Sequence, residues 1–280
     1  MKYLLILLLT MFPLTSFTLA KTNEHLFVIS GVIVNSDTNI KMKNFINIIS
    51  KKTGYKLKPF YVNSYDRLSK TLRDNPYALA WTCGLPYVQD SIKDNQQLVA
   101  VPLYKGKPTY SSLIISRKDN KKQNLIDFRN NIFAYSDIRS NSGYLAPSVL
   151  LKKHGLNIKN FFRVKIPTGT HEAAIEAVSN GLADVAAIDE YVWDEYVRTR
   201  SHITKKLHII EKTGPFPFTP IVVGSGVTND VLNKIKKSLI ELTPTELESF
   251  KNDFHMDGFI LKDPSFYDPI KKMLHYINEE

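Results

Sequence analysis

Residues 65–88 read YDRLSKTLRDNPYALAWTCGLPYV, and their pattern is the strongest indication of the fold class. Its first part places apolar residues at helical spacing, and residues 78–81 form a short apolar run typical of a buried strand. Residues 75–76, Asn-Pro, mark the turn between them. Residues 171–193, HEAAIEAVSNGLADVAAIDEYVW, repeat the order of helix, turn and strand. The repeat predicts two similar α/β lobes; chance is the alternative, since such units are common.

The alternation of strand and helix extends towards the N-terminus. Residues 26–29 and 57–62 are apolar runs typical of strands, and the segment between them has apolar residues at helical spacing. Gly54 ends that helix as a C-terminal cap. This order predicts an α/β fold in which each lobe has a central, mostly parallel sheet.

Two Gly/Pro links, at residues 105–108 and 213–220, divide the chain. They predict that one lobe is inserted into the other. Residues 21–116 together with 214–280 form lobe I, and residues 117–213 form lobe II. A few residues at two crossings can absorb a rotation, so we expect a hinge around a ligand cleft between the lobes.

The first 20 residues predict export. Lys2 is followed by a charge-free stretch that ends at Ala20, which is typical of a signal peptide cleaved after that residue. A membrane anchor is the alternative, but the apolar stretch is broken by Pro13 and is short against the roughly 20 apolar residues of a spanning helix. We therefore expect a periplasmic protein with no stable membrane insertion after cleavage.

The composition favours a globular protein that attracts anions. Hydrophobic residues make up 43% of the chain, and the formal net charge is +10. The basic residues are scattered and do not form one stripe with aromatic residues, so we expect no nucleic-acid partner. A general positive field of this kind favours a small anionic solute.

The sharpest local pattern for a binding site begins at Ser140. The residues Ser140, Asn141, Ser142, Gly143 and Tyr144 follow an apolar strand and open a predicted helix. Hydroxyl groups and free backbone N–H groups at a helix start form a natural pocket for an anion. The alternative is that one of the serines is only a helix N-cap.

Further candidates lie at another helix start and at strand ends. His171 falls in the first turn of a helix, where it can donate a hydrogen bond to an oxyanion, although a surface His beside an N-cap is the alternative. Trp81, Thr82 and Asp189 stand at the carboxyl ends of their strands, the edge at which open α/β sheets bind ligands. Trp81 would supply an apolar wall, Thr82 a hydroxyl, and Asp189 an acceptor for an ammonium group or a protonated anion. Asp189 as a mere helix cap is the other interpretation.

Enzymatic chemistry finds little support. Cys83, the only cysteine, and His171 could act as nucleophile and base, but a lone cysteine beside an apolar strand is more often a small buried hydrophobe. The sequence contains no phosphate-loop or dinucleotide motif and no cluster at metal-ligand spacing. We expect no cofactor, no bound metal and no catalytic residue.

Taken together, these motifs resemble the periplasmic phosphate/phosphonate-binding proteins of ABC transporters over residues 26–223. The resemblance implies a type 2 periplasmic binding protein whose lobes close over the ligand. Its implied phosphonate-binding residues are Ser140, Asn141, Ser142 and His171, with Tyr65 and Tyr110 lining the cleft. Relatives usually have Thr at the position of Asn141, and a Gly-Pro pair where this chain has Thr-Cys-Gly at residues 82–84.

The resulting hypothesis is a solute-binding component of an ABC transporter. It would capture a phosphonate or a phosphate-like oxyanion and deliver it to an inner-membrane ABC permease. The alternatives are a ligand-sensing module of a signalling system and an exported thiol enzyme that uses Cys83.

Overall fold

The computed structural model describes residues 24–30 and 38–279. The predicted signal peptide, residues 1–20, lies outside the described residues, and its cleavage stays a prediction. Of the helices in these described ranges, none combines the length and the apolar character needed to cross a membrane.

Strands and helices alternate along most of the described chain. The strands are β1 (His25–Ser30), β2 (Leu57–Val62), β3 (Leu79–Trp81), β4 (Gln97–Pro102), β5 (Thr109–Arg117), β6 (Ile132–Tyr135), β7 (Val164–Pro167), β8 (Val185–Asp189), β9 (Leu207–Pro217), β10 (Ile221–Val223) and β11 (Phe259–Ile260). The helices are α1 (Thr38–Thr53), α2 (Tyr65–Asp74), α3 (Gly84–Lys93), α4 (Ala146–Lys153), α5 (Ile158–Phe161), α6 (His171–Ser179), α7 (Glu190–Thr199), α8 (Ser201–Thr204), α9 (Asn229–Ile240), α10 (Pro244–Phe254) and α11 (Asp268–Asn278).

The strands form two sheets with the same internal arrangement. The first has the order β11-β4-β10-β3-β1-β2, and the second has the order β7-β6-β8-β5-β9. In the first sheet β1 is parallel to β2 and β3, and β10 is antiparallel to β3 and β4. In the second, β6 is parallel to β7 and β8, and β5 is antiparallel to β8 and β9. The predicted pair of α/β lobes is confirmed.

The sheets differ from the prediction in one respect, because they are mixed rather than mostly parallel. A strand that follows a crossover helix on its own sheet returns in the parallel direction, as β2 and β3 do. By contrast, β5 and β10 each enter their sheet directly from the other one, through a link without a helix. Alternation of strands and helices therefore predicted the parallel group, but it did not predict that the strands entered through these links run antiparallel to that group.

The chain passes between the sheets at residues 103–108, after β4, and at residues 218–220, after β9. The predicted lobe boundaries, at 116/117 and 213/214, fall at the end of β5 and within β9, which pair with each other in the second sheet. The hinge and the division into lobes stay predictions, and the strand pairing supports crossings at 103–108 and 218–220. We call the first sheet with α1–α3, α9 and α10 the first half, and the second sheet with α4–α8 the second half.

The C-terminal helix α11 contacts both halves. It packs on α3 of the first half and on α4 and β9 of the second half. Ile270 of α11 is fully buried against Gly84, at the start of α3. Lys152 of α4 donates a 2.7 Å hydrogen bond from Nζ to the carbonyl oxygen of Tyr276 in α11. A third connection therefore joins the two halves, outside the two crossings.

Candidate functional site

Four parallel strands end in buried polar residues, two from each half. Ser30 is the last residue of β1 and Thr82 follows β3, whereas Ser136 follows β6 and Asp189 is the last residue of β8. All four are buried. The carboxyl edges of the parallel strands are where open α/β sheets place their ligands, and they locate the candidate site between the halves.

The loop after β6 forms the second half's wall of this site. A single π-helical turn, Asn141–Leu145, precedes α4, and Ser140 is its N-cap, with Oγ accepting a hydrogen bond from the Gly143 N–H at 3.0 Å. Ser140, Asn141 and Ser142 have no exposed surface. A Cβ atom at Gly143 would lie 2.8 Å from Ser136 Oγ, so a larger residue would push this turn away from the strand.

His171 lies against this turn as a neutral hydrogen-bond donor. It is the first residue of α6, after the N-cap Thr170. Its Nδ1 accepts the backbone N–H of Asp189 at 3.2 Å, so the ring proton is on Nε2. Nε2 lies 3.2 Å from Ser136 Oγ and 3.3 Å from Ser140 Oγ. Burial lowers the pKa of His171 to about 3, which keeps the imidazole uncharged at neutral pH.

A small cavity lies between the two halves beside His171. Its volume is about 10 Å³, roughly the space that holds one water molecule. Its described lining consists of Ser30, Ser64, Tyr65, Ser136, Asp137, Gly169 and His171. Sequence reasoning missed Ser30, Ser64, Ser136 and Asp137. Ser30 and Ser136 stand at carboxyl ends of parallel strands, so the rule that selected Thr82 and Asp189 could have found them.

Tyr110 and Tyr65 are buried beside the same turn. Asn141 donates a 3.1 Å hydrogen bond from Nδ2 to the Tyr110 hydroxyl, and Ser112 Oγ donates to the Ser142 carbonyl oxygen at 2.7 Å. Burial raises the pKa of both tyrosines well above its usual value, so both phenols remain hydrogen-bond donors.

Cys83, the residue before α3 of the first half, is a neutral thiol beside the site. It is buried, and its thiol lies beside Tyr65 and the backbone of Asn141. Burial is the largest influence on the pKa of the Cys83 thiol and raises it. The nitrogens of His171 are directed at Asp189, Ser136 and Ser140. A nucleophilic cysteine requires a lowered pKa and an adjacent base, and Cys83 has neither. The proposed thiol enzyme therefore loses its chemical basis.

Asp189 is both a helix cap and a buried acid. Its Oδ1 accepts the Tyr191 N–H at 2.8 Å as the N-cap of α7. Burial raises its pKa to about 7, so the carboxyl group is easily protonated near neutral pH. The interpretation of Asp189 as a cap is confirmed, and its predicted role towards a ligand stays a prediction.

The contacts described for two residues predicted for the site, Trp81 and Tyr144, are mainly aromatic packing. Trp81 packs against Phe45 and Phe254, at 6.0 and 5.7 Å between ring centroids, and donates a hydrogen bond from Nε1 to Thr219. The ring of Tyr144 lies 4.9 Å from that of Tyr135. Their backbones adjoin the site, whereas the side chains belong to aromatic packing. A ligand-binding role for Trp81 or Tyr144 stays a prediction without a supporting contact.

Several buried polar atoms at the site have no hydrogen-bond partner among the described residues. They are Ser30 Oγ, Thr82 Oγ1, Asn141 Oδ1 and Ser142 Oγ. A buried hydroxyl left unpaired costs about 1–3 kcal/mol, so proteins rarely retain such groups without a reason. Asn141 and Ser142 lie on the turn after Ser140, whereas Ser30 and Thr82 stand at strand ends of the first half, so both halves contribute unpaired groups.

In the described part of the chain, no group of three or more His, Cys, Asp or Glu side chains is placed to hold a metal ion. The expectation that the protein needs no metal or cofactor stays a prediction.

Comparison with known proteins shows which family this chain resembles. The family model described as "ABC transporter, phosphonate, periplasmic substrate-binding protein" matches residues 33–267. The chain is 28% identical over 214 residues to the "Phosphonates-binding periplasmic protein" of Escherichia coli (strain K12), a match that covers 73% of this chain and 63% of that protein. The chain thus spans less than two thirds of the length of this curated relative.

Two solved structures establish the same fold. A binding protein component of an ABC phosphonate transporter from Pseudomonas aeruginosa superposes with a TM-score of 0.83 at 21% identity, covering 91% of this chain and 86% of that one. PhnD1 from Prochlorococcus marinus (MIT 9301), in complex with methylphosphonate, superposes with a TM-score of 0.81 at 20% identity, covering 92% and 99%. The matched family consists of substrate-binding components and not of enzymes. The chain belongs to the family of periplasmic substrate-binding proteins of ABC phosphonate transporters.

Proposed function

We propose that this protein captures a phosphonate, or a phosphate-like oxyanion, between its two halves. The observation that carries the proposal is a set of buried polar groups without a partner among the described residues, on the turn that follows Ser140 and at two strand ends of the first half, together with the Nε2–H of His171. Ser142 and Ser30 are buried, and within the described part of the chain neither hydroxyl has a partner of ordinary hydrogen-bond geometry. The matched family, and the methylphosphonate held by one structural neighbour, point to the same ligand chemistry.

Recognition of the anion would rely on neutral donors. The described cavity lining contains no Lys or Arg, and its one carboxylate, Asp137, accepts the N–H groups of Tyr65 and Arg139. Two helices, α2 and α6, begin at the cavity with Tyr65 and His171. Their N-termini direct backbone dipoles towards bound negative charge. Once the halves have closed, donors that the fold already holds in place need little further ordering to bind the anion, which favours tight binding.

We further propose that Asp189 influences which phosphonates bind. Its carboxyl is protonated on the acidic side of a pKa of about 7 and ionised above it. In the ionised form it would attract an ammonium group on the ligand and disfavour a simple dianion.

The transport role and the location are proposals of the same kind. The family description supports capture in the periplasm and delivery to an ABC permease of the inner membrane. A sensing role, the alternative, is favoured by none of the contacts described above.

The direct test is calorimetric titration with methylphosphonate, 2-aminoethylphosphonate, phosphate, phosphite and acetate, using Ser142→Ala and His171→Ala. Each removed hydrogen bond to a charged ligand should weaken binding of the preferred oxyanion by about 1.5–3 kcal/mol, tenfold or more. Ser148→Ala is the matched control, because Ser148 is a buried serine of α4 whose Oγ is bonded to the Tyr144 carbonyl oxygen.

The control should bind like the wild type, and the empty Ser142→Ala protein should keep its melting temperature. If Ser142→Ala and His171→Ala both bind like the wild type, the anion site lies elsewhere. If the wild type binds none of the five anions, the proposed ligand class is wrong.

A further inference from the structure

We call Ser140 and the π-helical turn that it caps, Asn141–Leu145, the serine turn. Two residues just before it connect it to the first half. Asp137 Oδ2 accepts the backbone N–H of Tyr65, the first residue of α2, at 3.1 Å. The other carboxylate oxygen of Asp137 accepts the backbone N–H of Arg139 at 2.7 Å. A carboxylate at a helix N-terminus is favoured by the helix dipole, so Asp137 ties this loop to the start of α2.

Arg139 makes the larger set of contacts across the same boundary. Its Nη2 donates to Asp90 Oδ1 at 2.7 Å, its Nη1 to Ser69 Oγ at 2.7 Å, and its Nε to Gln89 Oε1 at 2.8 Å. The second oxygen of Asp90 accepts the Ser69 hydroxyl. All three partners belong to α2 and α3 of the first half.

Burial distinguishes Arg139–Asp90 from the surface ion pairs. The Arg139 side chain is 15% exposed and that of Asp90 is 4% exposed. Arg139 also lies 3.2 Å from Asp66, but that carboxylate is 79% exposed, so water screens the contact. A desolvated pair with every hydrogen bond made holds its geometry, whereas losing one partner leaves a buried charge unpaired.

Because Arg139 is next to the site in the chain, the Arg139–Asp90 pair affects the position of the site residues. Arg139 directly precedes Ser140, whose hydroxyl caps the serine turn and faces His171. Its guanidinium group is bound to residues of the first half, whereas its backbone belongs to the loop of the second half that forms one side of the site. The anchor can form only when the two halves meet, and its formation fixes the start of the turn.

We propose that Arg139, held by Asp90, is a positioning residue that couples closure of the two halves to assembly of the oxyanion site. This inference rests on the proposed function. Ligand bound in the cleft would be retained by the Arg139–Asp90 pair, since release requires the pair to break. The pair therefore acts chiefly on the dissociation rate, as buried hydrogen-bonded charge pairs across interfaces do.

The test is stopped-flow binding of methylphosphonate, followed by tryptophan fluorescence. The proteins are the wild type, Arg139→Gln, Asp90→Asn, the double variant, and Arg163→Gln. Arg163 is a suitable control because it is exposed and forms no salt bridge within the described part of the chain.

We expect the dissociation rate to rise at least about tenfold in Arg139→Gln and in Asp90→Asn, with the association rate within about threefold of the wild type. The double variant should resemble the single ones, because either change breaks the same pair. Asp90→Glu, which keeps the charge, should recover part of the loss. The ligand-free variants should melt close to the wild type, since the pair is broken when the halves are apart.

Other outcomes separate this inference from the proposed function. A wild type that binds methylphosphonate, with Arg139→Gln releasing it at the same rate, overturns the inference alone. The inference is also overturned if the ligand-free Arg139→Gln protein melts at a lower temperature and this loss of stability explains its entire loss of affinity. Arg139 would then have only a structural role. Absence of binding by the wild type to all five anions overturns the proposed function and this inference with it.

Discussion

At the scale of single residues, one backbone contact determines the chemistry of His171. Because the Asp189 N–H occupies Nδ1, the imidazole can only donate from Nε2, towards Ser136 and Ser140. A general base must accept a proton at the atom that faces the substrate, and the protonated Nε2 cannot do so. At Nε2 the ring can therefore donate a hydrogen bond but cannot act as a general base.

Asp189 provides a prediction at this scale. Its pKa is raised to about 7 by burial, so the carboxyl is neutral below this pH and ionised above it. The affinity for methylphosphonate relative to Asp189→Asn should therefore fall as the pH rises from about 6 to 8, by about 1–2 kcal/mol. Calorimetry of both proteins at the two pH values gives the ratio of the wild-type affinity to that of Asp189→Asn. Ionisation of the ligand affects both affinities equally and therefore cancels in this ratio.

Asparagine is a suitable replacement because it also caps helices, so α7 should keep its N-terminus. The ligand 2-aminoethylphosphonate should respond in the opposite direction if its ammonium group faces Asp189. A ratio that stays constant between the two pH values would show that Asp189 does not sense the ligand.

At the scale of elements, the packing of α11 on α3 yields a second prediction. A Cβ at Gly84 would lie 2.4 Å from Cδ1 of Ile270, which is fully buried and has little freedom to move. Gly84→Ala should therefore lower the free energy of unfolding by about 1–3 kcal/mol. Urea denaturation followed by circular dichroism gives the value.

Ile270→Val supplies the control, because it removes the clashing Cδ1 atom. The double variant Gly84→Ala, Ile270→Val should be more stable than Gly84→Ala alone. If Gly84→Ala is as stable as the wild type, the interface between α3 and α11 is looser than the structure indicates.

At the scale of the whole molecule, the two crossings predict motion. The chain passes between the sheets at residues 103–108 and 218–220, and both are short links without a helix. A ligand that bridges the halves should favour their closed arrangement by its difference in affinity for the two states. Small-angle scattering should show a smaller radius of gyration when methylphosphonate saturates the protein.

Arg139→Gln should show less compaction at the same ligand saturation, because it lacks the contact with Asp90. An unchanged radius of gyration in the wild type would contradict the hinge. The predicted hinge would then have to be given up, although the fold would stand.

The α/β class, the two lobes and a serine-rich helix start at residues 140–142 could all be predicted from the sequence. These features follow from local periodicity, from Gly/Pro links and from helix-start residues, all of which are legible within short windows of sequence. Ser140, Ser142 and His171 could be selected in this way because each stands at a local helix start. The family resemblance added Tyr65 and Tyr110.

Which side chains lie next to each other, and which of them are protonated, depends on contacts between residues far apart in the chain. Trp81 is beside the site in sequence yet packs into the aromatic core, because side-chain direction depends on neighbours distant in the chain. Arg139 carries no motif, and its role emerges from Asp90, 49 residues away. Burial also sets the protonation of His171 and Asp189, since the penalty on the charged form depends on the surroundings that the fold creates.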